Sequence, residues 1–158
     1  MEILEGRFTT PTGNYFWDRK RRKVLQILAR YLEKLPATVT PNEPRLFVEL
    51  GSGQGADLIL MWEMLQKQLT PWELVALEGD STRCAILDLK KEHLQADNLR
   101  LLAQDITHTL PFQDGTVDLL YCSEVIEHLL EPDAFLQEIA RTLKKPGGCL
   151  LLTTPNQP

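Results

Sequence analysis

The sequence has few cysteines, and each scarcity in it narrows what the chain can be. Its three cysteines, Cys84, Cys122 and Cys149, are widely spaced, odd in number and contain no Cys-x-x-Cys pair. That spacing argues against a disulfide framework or a thiolate zinc site and reads as reduced, small apolar residues in a cytoplasmic protein. No apolar run is long enough to cross a bilayer, since Leu58-Ile59-Leu60-Met61-Trp62 is cut by Glu63. The opening Met1-Glu2-Ile3-Leu4-Glu5-Gly6-Arg7 is acidic and lacks the basic-then-apolar order of a signal peptide. No membrane partner is therefore expected. Positive charge is also short, with 17 Lys and Arg against 22 Asp and Glu, a formal net charge of -5. An acidic body does not favour nucleic acid as a partner. The one basic cluster is Arg19 to Lys23, read as the solvated face of an entry helix. Aromatics precede it at Tyr15-Phe16-Trp17, an arrangement that can also hold nucleotides.

What is present is an ordinary globular balance, 43% hydrophobic and 25% charged, over 158 residues. That length supports one domain. Residues 1–44 read as an N-terminal helical segment and linker, and residues 45–158 as the core. Val24, Leu25, Ile27, Leu28, Tyr31, Leu32 and Leu35 recur at helical spacing and predict a helix from Trp17 to Leu35. From Arg45 the pattern alternates. Strands are expected at Leu46–Leu50, Leu74–Leu77, Leu99–Ala103, Val117–Cys122 and Cys149–Thr153. Helices are expected at Ala56–Gln68, Thr82–Gln95, Glu124–Leu130 and Pro132–Leu143. Alternation of this kind predicts an α/β fold, a Rossmann-like, doubly wound, mostly parallel sheet of five strands in the order 3-2-1-4-5.

In such sheets a ligand sits beyond the carboxyl ends of the strands. The loop after the first strand, Gly51-Ser52-Gly53-Gln54-Gly55, permits close approach of a ligand to the backbone. Gly51-x-Gly53-x-x-Ala56 also satisfies the dinucleotide fingerprint in its alanine form, so the glycines leave two cofactors open. Charge separates them. Glu49, Glu78, Asp105 and Glu124 all fall at or just after strand ends. Carboxylates there oppose a pyrophosphate but suit a cation such as S-adenosyl-L-methionine, which carries a sulfonium and an ammonium. A unit charge pair near a surface contributes about 4 kcal/mol gross at 4 Å and an effective dielectric of about 20.

Val48-Glu49-Leu50-Gly51-Ser52-Gly53-Gln54-Gly55 resembles motif I of class I methyltransferases, and Leu77-Glu78 the acidic end of their second strand. Gln104-Asp105-Ile106, the run Leu110-Pro111-Phe112-Gln113-Asp114-Gly115-Thr116-Val117-Asp118, Val125-Ile126-Glu127-His128-Leu129 and Leu143 to Gly148 resemble, in order, further segments of the type 11 group. The resemblance implies a methyltransferase with S-adenosyl-L-methionine as cofactor. Gly51, Ser52, Gly53 and Gly55 would then face the methionine part, with Glu49 fixing the loop or touching the ligand. Glu78 would hold the ribose, Asp105 and Ile106 would flank the adenine, and Ser123 would line the far wall. Gly79 stands where the group usually has an apolar residue. His128 is the one histidine near the crevice and the candidate for a base. The resemblance also implies an antiparallel hairpin after the fifth strand, so either a further segment or a second copy is expected to cover that edge.

The acceptor is expected to be a small molecule. A different reading comes from Glu124, Glu127 and His128, whose i, i+3, i+4 spacing would put three metal-capable groups on one helix face. That spacing resembles small-RNA 3′-terminal 2′-O-methyltransferases, although metal binding is not favoured. A cofactor-binding module without activity of its own is the third possibility.

Overall fold

The computed structural model describes residues 15–35 and 43–155. Its elements are α1 (Tyr15–Lys34), β1 (Arg45–Leu50), α2 (Ala56–Leu65), β2 (Trp72–Glu78), α3 (Ser81–Leu94), β3 (Leu99–Ala103), β4 (Leu119–Ser123), α4 (Pro132–Thr142) and β5 (Cys149–Thr153). The five strands form one sheet in the order β3-β2-β1-β4-β5, and every pairing is parallel. The expected strand order is the observed one.

Side chains of successive strand residues point to opposite faces, so each face acquires its own core. Phe47, Leu74, Ala76, Leu119 and Tyr121 pack on one face against Leu28 of α1, Leu58, Met61 and Leu65 of α2 and Leu87 of α3. Val48, Leu50, Val75, Leu77, Leu120 and Cys122 pack on the other against Phe135 and Ile139 of α4 and Leu110 and Val117 of the preceding loop. Burial on both faces is why β1, β2 and β4 read as nearly continuous apolar runs. Helix α1 shares a core with the sheet, and a Leu28→Ala truncation there would cost about 2–5 kcal/mol.

Several expectations shift. Strand β2 begins at Trp72 and runs to Glu78, because Trp72 is buried and pairs in register with Arg45. Val117 makes only an isolated bridge to Leu143, and β4 starts at Leu119. Ile27 turns outward, 44% exposed, since Val24, Leu25, Leu28 and Leu32 already fill the buried stripe of α1. The helix expected over Glu124–Leu130 shortens to a single 3₁₀ turn, Ile126–His128. Glu124 takes a left-handed φ of 56°, which no helix continues through, and Leu129 returns to extended geometry.

The amino ends of the strands are closed by polar clasps. Asp118 accepts from Leu46 N–H at 2.9 Å and from Lys144 Nζ at 2.9 Å, joining β1 to the segment before β5. Arg141, at the end of α4, donates to Glu138, to the Phe112 carbonyl at 2.8 Å and to Asp114 at 2.7 Å. The Leu110-to-Asp118 run is thus a structural floor beneath the sheet.

Candidate cofactor site

The carboxyl ends of β1, β2 and β4 open into two adjoining cavities that share Gly51 and Glu124. One, about 430 Å³, is lined by Gly51, Glu78, Gly79, Asp105, Ile106 and His128, among others. The other, about 210 Å³, is lined by Lys20, Arg21, Glu49, Ser52, Asp57 and Ser123, among others. A mostly apolar groove of about 400 Å³ between α2 and α3, with Lys90 and His93 on its lining, lies elsewhere.

The glycine loop is shaped by β2 as much as by its own sequence. The Gly51 and Ser52 N–H groups both donate to the Leu77 carbonyl, at 2.9 and 3.1 Å, which folds the chain back across the tip of the neighbouring strand. Gly53 N–H then donates to Glu78 Oε2 at 2.7 Å. At φ 56°, a Cβ on Gly53 would meet nothing within 4 Å, so the loop presents bare backbone to open space. Gly55, at φ 74°, is the N-cap of α2, and a Cβ there would run into Leu87 of α3. The three glycines therefore sit differently: Gly55 lets two helices approach, whereas a Cβ on Gly53 would meet only open space. Gly51 lies against Val125, whose Cγ2 an added Cβ would meet at 2.6 Å.

Glu78 is buried at the tip of β2, its Oε1 accepting from Asp80 N–H at 3.0 Å and its Oε2 from Gly53. Each carboxylate oxygen has a further lone pair, so two hydroxyls can still be accepted. Asp105 accepts from Thr107 N–H at 2.8 Å, and that bond holds its carboxyl below the ordinary carboxylate range. It therefore both fixes the turn after β3 and lines the larger cavity with Ile106. Gly79 has space beside it, the nearest atoms to an added Cβ lying 3.8 Å away.

Glu49 is 3% exposed, and its Oε2 has no hydrogen-bond partner. Burial, then the nearby Asp57 carboxylate, push its pKa well above the ordinary value, while Ser52 pulls the other way. A buried, partnerless carboxylate oxygen that lines a cavity is what a cationic ligand group would satisfy. Together with the two lone pairs on Glu78 and the bare backbone at Gly53, it fits S-adenosyl-L-methionine.

Ser123 donates or accepts with Thr153 Oγ1 at 2.8 Å and accepts from Lys20 Nζ at 2.7 Å. His128 lines the larger cavity but is a surface side chain, 76% exposed, 4.0 Å from Glu127. The i, i+3, i+4 grouping of Glu124, Glu127 and His128 is not a helix face: Glu124 accepts from Thr153 and Glu127 from Thr154.

Two features of the site escape a sequence reading. Asp57, in the first turn of α2, accepts from Arg21 at 2.6 Å and from Tyr121 Oη at 2.8 Å. The Arg19–Lys23 run is a solvated face only in part. Arg19, Arg22 and Lys23 are exposed, whereas Lys20 and Arg21 turn into the crevice. The signal was available: Lys20 and Arg21 stand four residues before buried Val24 and Leu25, on the same stripe of α1. The reading that Tyr15-Phe16-Trp17 can hold nucleotides concerns side chains outside the described ones.

An all-parallel sheet in this order, with acidic strand tips around a glycine loop, defines the cofactor-binding core of a class I methyltransferase. The family model described as a methyltransferase domain matches residues 48–152, and the chain belongs to that family. Its cofactor is S-adenosyl-L-methionine. A Mycolicibacterium smegmatis protein named a probable S-adenosylmethionine-dependent methyltransferase is 33% identical over 160 residues, spanning 98% of this chain and 52% of the relative. A malonyl-[acyl-carrier protein] O-methyltransferase of a Marinomonas species is 29% identical over 80% of this chain and 44% of its own. The chain thus spans about half the length of these relatives. A solved methyltransferase from Aquifex aeolicus superposes with a TM-score of 0.64 at 20% identity, over 85% of this chain and 70% of that one, a likeness of fold.

Proposed function

We propose that this chain binds S-adenosyl-L-methionine in the two adjoining cavities and passes its methyl group to a small-molecule acceptor. The observation that carries the reading is the orphaned Glu49 oxygen beside a carboxylate-lined crevice. Glu49 takes the ammonium end of the ligand, Glu78 accepts the ribose hydroxyls, and Asp105 and Ile106 flank the adenine. The bound cofactor supplies a methyl carbon already activated by its sulfonium. What the chain contributes is position, and well-oriented reactants reach effective molarities of about 10⁵–10⁸ M. No residue is required to act as a strong base. His128, exposed on its 3₁₀ turn and lining the larger cavity, is the side chain this reading assigns to touch an acceptor. The Marinomonas relative, named for an O-methylation, supports an oxygen acceptor.

The test is a calorimetric titration of S-adenosylhomocysteine into the wild type and Glu78→Ala. Charge-assisted hydrogen bonds of this kind contribute roughly 1.5–3 kcal/mol each, so the variant should bind at least about tenfold more weakly. Equal affinity would remove Glu78 from the site. Heat released by NAD but not by S-adenosylhomocysteine would overturn the reading.

A further inference from the structure

Lys20 occupies an unusual position for a residue of a basic run. Its ammonium donates to Ser123 Oγ at 2.7 Å and lies 3.8 Å from Asp57 Oδ2 and 3.9 Å from Glu124 Oε1. Thr153 Oγ1 lies 2.8 Å from Ser123 Oγ and donates to Glu124 at 3.0 Å, so a closed polar circuit links α1 to the tips of β4 and β5. This is the smaller cavity, the one that holds the partnerless oxygen of Glu49. A primary ammonium thus already sits beside Asp57 and Glu124 in the cavity that the ligand's methionine part would enter, while Glu49 Oε2 is left unpartnered.

Arg21 is held differently, paired to Asp57 at 2.6 Å on the rim of the same cavity. A lysine ammonium is a compact, strongly hydrated charge on a flexible stem, well suited to being released. Burial, the largest influence on Lys20, works against its charge and lowers its pKa, whereas Asp57 and Glu124 act to keep it charged.

We propose that Lys20 is a tethered stand-in for the ligand's amino group: in the free protein its ammonium holds the carboxylate subsite, and cofactor binding displaces it. The inference rests on the cofactor reading above and adds to it a competition built into the chain. A group tethered next to its own subsite has a high effective concentration, and any ligand that needs the same subsite binds more weakly in proportion. Ligands that lack an amino group escape the penalty.

The test compares two ligands and two variants by calorimetry. S-adenosylhomocysteine carries the amino-acid part; 5′-methylthioadenosine has the nucleoside and sulfur without it. Lys20→Met keeps most of the apolar stem and removes the charge. It should bind S-adenosylhomocysteine about five- to tenfold more tightly than the wild type, with 5′-methylthioadenosine unchanged to within about twofold. Lys20→Gln should likewise tighten S-adenosylhomocysteine and leave 5′-methylthioadenosine unchanged, and decides the matter if Lys20→Met does not fold. An unchanged or weakened affinity for S-adenosylhomocysteine overturns the inference, the second outcome making Lys20 a contact for the ligand's carboxylate. A wild type that binds neither compound would overturn the cofactor reading as well, so the two failures are told apart.

Discussion

Glu49 carries a tension that a folded chain ordinarily removes. A buried carboxyl with one unpartnered oxygen costs about 1–3 kcal/mol when ionised, and here Asp57 adds a like charge. Because folding raises its pKa, the penalty is absent well below the ordinary carboxylate range. It accumulates as pH rises through that range toward the raised value. Glu49→Gln should therefore raise the melting temperature at pH 8 by roughly 2–12 °C, and the gain should shrink toward pH 4. Melting curves of both proteins across that range check this. The same variant should weaken S-adenosylhomocysteine binding, since stability and ligand capture draw on one side chain in opposite senses. A gain that is constant with pH would mean that folding leaves the Glu49 pKa unshifted. Much at this scale was legible in the sequence. Acidic residues after apolar strands, read with the glycine spacing, picked out Glu49, Glu78 and Asp105 as side chains at the strand ends, where they line the two cavities. The inward turn of Lys20 was not, because a run of five basic residues reads as solvated unless its phase against Val24 and Leu25 is followed.

Among the elements, the loop that leads into α2 separates fold from ligand within five residues. Gly55→Ala would drive a methyl group into Leu87, which is 2% exposed and packed on all sides, and would strain a left-handed backbone. It should destabilise the protein by about 2–4 kcal/mol. Gly53→Ala meets only open space and should cost about 1 kcal/mol in stability, yet lower S-adenosylhomocysteine affinity by about tenfold or more. Denaturant unfolding and ligand titration on the two variants give the contrast. Similar effects on both quantities in both variants would show that the glycines are not divided in this way. The order of elements was readable from alternation alone, while two boundaries were not. Trp72 joins β2 because it pairs with Arg45 across the sheet, a long-range condition with no local mark. The helix expected after β4 fails at Glu124, whose carboxylate is drawn to Thr153 on β5, 29 positions along the chain.

As a whole, the molecule is polarised from one end of its sheet to the other. The carboxyl end holds the charged groups that the proposed reading assigns to a ligand, so occupancy should stabilise the entire fold through mass action. At about a hundredfold excess over the dissociation constant, S-adenosylhomocysteine should add about 2.7 kcal/mol and raise the melting temperature by roughly 5–10 °C, with NAD leaving it unchanged. A thermal-shift series with both compounds measures this; equal shifts would contradict the preference for an amino-acid-bearing nucleoside over a pyrophosphate. The amino end is the reverse, its charges spent on one another at Asp118–Lys144 and Arg141–Asp114. Its surface residues Gln113, Gly115 and Lys145 are exposed and stand at the opposite pole from Gly51. That floor is consequently a natural handle: a dye, a bead linker or a fused reporter attached there leaves the mouth of the crevice unobstructed, so ligand entry can be watched on immobilised molecules.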